Sequence, residues 1–245
     1  MLLSVRGVSK HFGPVQALSS VDLDVPAGEV TALVGDNGAG KSTLIKTVSG
    51  TLAPTSGEIF WEDERVTIRT PRDADALGIA TVYQDLALCD NLDITQNMFL
   101  GHERLRHRLL DENDMETQAR QTLVDLKVTT VRSVRQKVES LSGGQRQSVA
   151  VARAVMRDAR LVILDEPTAA LGVSQTAQVL ALIRSLAGRG IAVLVISHNL
   201  NDIFEVADRV AVLYLGRLVH SAPISDTTPQ GVVELITTGT RGAAA

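Results

Sequence analysis

Only one cysteine, Cys89, occurs in 245 residues. No internal disulfide can form, and nothing argues for an oxidising compartment. A lone cysteine reads as a small core residue rather than a working thiol. An excess of positive charge is missing too. Twenty-four Lys and Arg stand against 28 Asp and Glu, a formal net charge of −4. There is no overall basic footprint, which discounts a function centred on nucleic acid. Long apolar runs are also absent: Ile191–Ile196 and Val210–Leu215 are the most apolar stretches and are far too short to cross a bilayer. Met1–Arg6 lacks the apolar length of a signal peptide. The expectation is a soluble, cytoplasmic chain whose link to a membrane would run through a partner. Hydrophobic residues at 44% and charged residues at 21% are ordinary for a globular protein. The length suits one large domain, or a core with a smaller insertion.

What is present alternates. Leu161–Leu164 and Ile191–Ile196 are continuous apolar runs, the mark of strands whose two faces are both covered by helices. Between them Val179, Leu182, Ile183 and Leu186 keep the spacing of one helix face, and Gly188 and Gly190 supply the stop. Strand, helix, strand of this kind predicts a parallel α/β sheet. Val210–Leu215, Gly216 and Leu218-Val219 read as a late hairpin. Residues 1–30 and 55–70 hold alternating, β-rich pieces, predicting an antiparallel edge sheet. From 85 to 158 the pattern is helical, with one helix marked by Met115, Ala119, Leu123 and Leu126 and another by Val149, Ala152, Val155 and Met156. The expected division is therefore one domain: an α/β core with its β edge over 1–84 and 159–236, a helical subdomain over 85–158, and a flexible tail over 237–245.

The segment Gly35-Asp36-Asn37-Gly38-Ala39-Gly40-Lys41-Ser42 has the pattern G-x-x-x-x-G-K-S between a strand-like run, Val30–Val34, and a helix-like one beginning at Thr43. In that context glycines let the backbone curl with its N–H groups inward, an anion-binding nest at a helix N-terminus. Lys41 would reach the β- and γ-phosphates and the Ser42 hydroxyl would ligate Mg²⁺. The pattern predicts binding of a nucleoside triphosphate. Leu161–Leu164 then ends in Asp165-Glu166, two carboxylates at the sheet edge where ligands of open α/β folds sit. Asp165 is placed to hold Mg²⁺, and Glu166 to polarise an attacking water. His198 follows a neighbouring strand and should reach the same edge, where it could bond the γ-phosphate.

Leu141-Ser142-Gly143-Gly144-Gln145, 20 residues before Asp165, is another glycine turn ahead of a helix, hence a second potential anion site. It resembles the signature of the ATP-binding cassette (ABC) ATPases. The resemblance covers nearly the whole chain, in the family's motif order. It implies a P-loop NTPase (RecA-like) parallel-sheet core with an antiparallel β edge subdomain and a helical insertion. It further implies that Ser142, Gly143, Gly144 and Gln145 of one subunit close over ATP held by residues 35–43, Thr43 included, of a partner. Phe12 falls where the family stacks an aromatic on adenine. Gln84 looks like the glutamine that senses Mg²⁺ and water while joining core to insertion. Residues 168–172 occupy the loop that crosses the dimer interface, where many relatives carry Asp in place of Gly172.

Asp36-Asn37-Gly38-Ala39-Gly40, Pro167–Leu171, Ile196–Leu200 and Gln84–Leu92 look like ATPases of ribose-, xylose- or fructose-type importers. No room remains after about Gly231 for the C-terminal regulatory domain of maltose-type relatives. The implied protein is a head-to-tail homodimer that hydrolyses ATP with Mg²⁺. It drives a transmembrane permease served by a solute-binding protein, from the cytoplasmic face of the cell membrane. The rivals are a cassette for another solute such as amino acids, and a soluble ABC ATPase acting on nucleic acid or ribosomes. A non-catalytic regulatory cassette is opposed by the intact Lys41, Asp165, Glu166 and His198. The second rival is opposed by the short insertion and acidic balance.

Overall fold

Alternating apolar residues fold the first 25 positions into a hairpin of two long strands, β1 (Leu3–Phe12) and β2 (Val15–Val25). Leu3, Val5 and Val8 on β1, and Leu18, Val21, Leu23 and Val25 on β2, are buried. After β3 (Val30–Val34) and α1 (Lys41–Val48), the short strands β4 (Ser56–Trp61) and β5 (Glu64–Val66) join the hairpin. The result is an antiparallel sheet in the order β2-β1-β4-β5, as the β-rich pieces predicted. The computed structural model describes residues 1–240.

The second sheet is the core. β3 lies between β10 (Ala192–Ile196) and β11 (Arg209–Tyr214), followed outward on the β10 side by β9 (Leu161–Asp165) and β6 (Ile79–Val82). These five strands run parallel. β12 (Arg217–Pro223) closes the far edge antiparallel to β11, which makes the predicted late hairpin part of this sheet. Successive residues of each strand enter different cores. Val30, Ala32, Val162, Leu164, Val193 and Val195 meet α5 (Gly143–Val155), α6 (Val173–Gly188), α7 (Leu200–Val206) and α8 (Pro229–Thr238). Leu33, Leu161, Ile163, Leu194 and Ile196 meet α1 and the antiparallel sheet instead. Helices thus cover one face, whereas the second is covered chiefly by strands, a departure from the expectation of helices on both. An apolar strand records only that both faces are dry, not what dries them. Burying Ile163 or Leu164 completely contributes roughly 1.5–3 kcal/mol each, enough to fix where β9 ends.

α2 (Pro71–Ala76) precedes β6, and between β6 and β9 come α3 (Ile94–Phe99), α4 (Glu112–Asp125) and α5. The two helices foreseen from spacing are α4 and α5. A small exposed hairpin, β7 (Leu105–Arg106) with β8 (Leu109–Leu110), separates α3 from α4. The expected tail starts too early, because Thr237 and Thr238 form the last turn of α8 and bond back to Val233 O and Glu234 O. Gly239, at φ 74, ends that helix. Positions 241–245 of the expected tail lie outside the described residues.

Candidate functional site

The carboxyl ends of β3, β9 and β10 meet at one edge, and the side chains there follow from how each strand stops. β3 runs straight into the glycine loop. A side chain at Gly35 would stand 2.3 Å from Leu213 O, and one at Gly40 would collide with Ala17 O at 2.7 Å. Gly40 also holds φ 106, open in practice to glycine alone, and it caps α1. The loop therefore lies flat against β2 and β11. Lys41 Nζ donates to Gly35 O (2.7 Å) and Asp36 O (3.0 Å), which holds the ammonium over the loop. Asn37 N donates to the Asp36 carboxylate at 2.7 Å, and Ala39 is buried beneath.

At the end of β9 the two carboxylates separate. Asp165 stays on the strand. Burial is the first cause that pushes its carboxyl above the usual aspartate range, and the neighbouring Glu166 charge is the second; Lys41 and Lys46 pull the other way. Glu166 turns left-handed at φ 51, and its amide donates to Ile196 O at 2.9 Å across to β10. Its Oε2 stands 2.9 Å from His198 Nδ1. The Glu166 side chain is 17% exposed and the histidine 76%, so the imidazole sits at the mouth of the cleft and the carboxylate inside. Asn199 caps α7 by accepting from Asn201 N, which fixes the loop carrying His198.

A cavity of about 580 Å³ collects these groups. It is lined by the 35–43 loop except Ala39, together with Ala17, Gln84, Asp165, Glu166, Ile196 and His198. Lys41, Ser42, Thr43, Gln84, Asp165, Glu166 and His198 thus converge, while Phe12 and residues 142–145 do not line it. Phe12 is 49% exposed near the turn of β1 and β2, with Lys10 Nζ 5.4 Å from its ring centre. Ser142 caps α5 in a reciprocal box with Gln145, in which Ser142 N donates to Gln145 Oε1 (2.9 Å) and Gln145 N to Ser142 Oγ (3.4 Å). Gln145 Nε2 donates to Thr130 O at 2.6 Å, so that amide is engaged within its own chain. Three positioning residues escaped the sequence reading. Buried Asn97 bonds both the N–H and the carbonyl of Cys89, and Arg153 donates to Leu86 O and Ala87 O, so together they hold the loop after Gln84. Asp202 accepts from Thr168 Oγ1 at 2.6 Å. The only hint in the sequence was polarity inside apolar helical spacing.

The family model for the ABC transporter matches residues 18–169, more than half of the chain. The chain belongs to the ABC transporter family. As an ABC cassette it is a nucleotide-binding ATPase. It is 46% identical over 243 residues to the fructose import ATP-binding protein of Rhizobium meliloti, covering 96% of this chain and 94% of that protein. It is 44% identical over 236 residues to the xylose/arabinose import ATP-binding protein of Sulfolobus acidocaldarius, again covering 96% and 94%. Among solved structures, a nucleotide-free ATP-binding cassette from an ABC transporter superposes with a TM-score of 0.81 at 25% identity, over 96% of this chain and 98% of that one. Among the described residues no helix of this cassette is long and apolar enough to cross a membrane.

Proposed function

We propose that the chain is the ATP-hydrolysing subunit of a transporter that imports a monosaccharide. The observation that carries this reading is near-full-length identity with subunits named for fructose and for xylose/arabinose import. The site geometry agrees with it. Loop amides and Lys41 cradle the phosphates at the start of α1. Glu166 orients and deprotonates the attacking water, while His198, as the imidazolium, donates Nδ1–H to Glu166 and Nε2–H to a phosphate oxygen. Ser42, Gln84 and Asp165 are the residues that would hold Mg²⁺. The fit rests on chemistry: an exposed hydroxyl, an amide oxygen and a carboxylate repelled by its neighbour form an oxygen donor set that a hard cation relieves. When bound, the ion supplies charge neutralisation on the phosphates.

Phe12 stacks on the base at the rim in this reading. Ser142, Gly143 and Gly144 lie outside the cleft because they belong to the neighbour's site, and two copies close head to tail over two nucleotides. Gln145 contributes there through its backbone, its side chain being taken up by the cap. The expected partners are permease subunits, with a solute-binding protein beyond them, and the subunit sits peripherally on the inner face of the cell membrane. Nucleic acid is not among them. Reconstitution of the chain with its own permease in proteoliposomes tests the reading. ATP-dependent uptake of a labelled monosaccharide, lost in Glu166→Gln, supports it. Co-purification with ribosomes or DNA and no uptake of any monosaccharide overturns it.

A further inference from the structure

The small hairpin in the helical insertion has no place in the nucleotide site. Among the described residues β7 and β8 pair only with each other, Leu105 opposite Leu110 and Arg106 opposite Leu109, around a turn in which His107 (φ 51) and Arg108 (φ 70) are both left-handed. Every residue from 100 to 110 is exposed. Leu105, Leu109 and Leu110 are 67%, 74% and 54% exposed, three leucines within six residues. A two-stranded hairpin is marginal in water when nothing covers its apolar side chains, and clustered exposed leucines mark a surface meant to be met.

The charges around it are sorted. The neighbouring carboxylates are each engaged: Glu103 accepts from Gly101 N, Asp111 caps α4, Glu112 pairs with Arg135, and Asp114 with Arg104. Arg106 and Arg108 have no partner among the described residues and stand at the outer end of the arm. The arm rises from a groove of about 560 Å³ whose lining includes His102, Arg72, Arg153 and Arg157 against the single carboxylate of Asp75. In that groove Arg157 Nε is buried without an acceptor. A chain of net charge −4 therefore gathers positive charge on one face.

The geometry points to the 105–110 hairpin as an arm that lies on an anionic phospholipid surface. Leu105 and Leu110, a cross-strand pair on one face, sit at the acyl boundary, while Arg108 at the turn and Arg106, its long side chain reaching round from the other face, bind headgroup phosphates. Exposed leucine interleaved with unpaired arginine is the composition such an interface selects. The groove lies at the foot of the arm, whereas the leucines and arginines of the arm itself stand clear of it, exposed to solvent. The inference does not depend on which solute is carried.

Vesicle sedimentation of the whole chain tests it. The protein should partition onto vesicles of phosphatidylglycerol and phosphatidylethanolamine at low salt, and not onto phosphatidylcholine alone. Arg106→Glu/Arg108→Glu should lower that partitioning about tenfold or more. Arg106→Lys/Arg108→Lys should retain it, and Leu105→Ser/Leu110→Ser should lower it without changing the lipid preference. Solution ATPase and circular dichroism should be the same in all three, which separates loss of the arm from loss of the fold. Absence of binding to the anionic vesicles, or binding unmoved by the charge reversal, overturns the inference. So does a charge reversal that impairs only stimulation by the reconstituted permease, which would assign the arm to a protein partner.

Discussion

At φ 51 Glu166 leaves its strand and meets His198, whereas Asp165 stays on the strand end, half-buried beside its neighbour's charge. Adjacent residues of nearly the same chemistry thereby have different environments. For a carboxyl raised above its unfolded value, the destabilisation is absent below the unfolded value, grows as pH rises, and is complete above the folded value. Asp165→Asn should therefore raise the Tm at neutral pH, by roughly 2–4 °C for each kcal/mol relieved. The gain should vanish in acid where Asp165 is already protonated. Thermal melts across pH decide this, and a gain that persists in acid would remove the electrostatic explanation. Activity should fall in the same variant if Asp165 holds the metal. Glu166→Gln should leave nucleotide affinity intact and slow turnover by about 100-fold or more, the range of a lost general base. Steady-state hydrolysis at the parental rate would sink that assignment.

Among the elements, α6 starts on Gly172 with no side-chain cap, and a Cβ there would meet nothing within 4 Å. Gly172→Asp should stabilise the protein by a few tenths of a kcal/mol, measured by denaturant titration. Asn97→Ala should act oppositely. It leaves the Cys89 N–H without its acceptor, while the Cys89 carbonyl keeps Leu92 N, and should cost about 1–3 kcal/mol. Hydrogen exchange should then rise first in the loop after Gln84, and unchanged exchange there would mean that Arg153 alone holds it. Sequence legibility followed the same grain. Strands β9 and β10, helix α6 and the glycine loop announce themselves through local period or local glycine, because one physical cause fixes each. The antiparallel sheet against the core was legible as an edge but not as a lid on the second face, since pairing of β1 with β4 spans about fifty residues of chain. Thr168, Asp202 and Arg153 were illegible because their partners are set by packing between elements distant in sequence, and Asn97 because its partners lie in an irregular loop with no period to read.

For the whole molecule, the cleft holds one wall of a site and leaves Ser142, Gly143 and Gly144 elsewhere. If two copies complete each other, mixing Lys41→Ala chains with Ser142→Arg chains should restore hydrolysis that neither shows alone. The mixed pair then contains one undamaged site and one doubly damaged one. Mixtures as inactive as the separate variants would refute composite sites. The bond of 2.6 Å between Thr168 and Asp202 has a consequence for timing. Thr168 begins the loop that ends at Gly172, and Asp202 lies on the helix that starts two residues after His198. In the proposed dimer, a neighbour that gripped or freed residues 168–172 would pull on the helix beside the histidine. Departure of the cleaved phosphate would then wait on the separation of the two copies rather than on the bond-breaking itself, and the slow hand of the clock would belong to the interface.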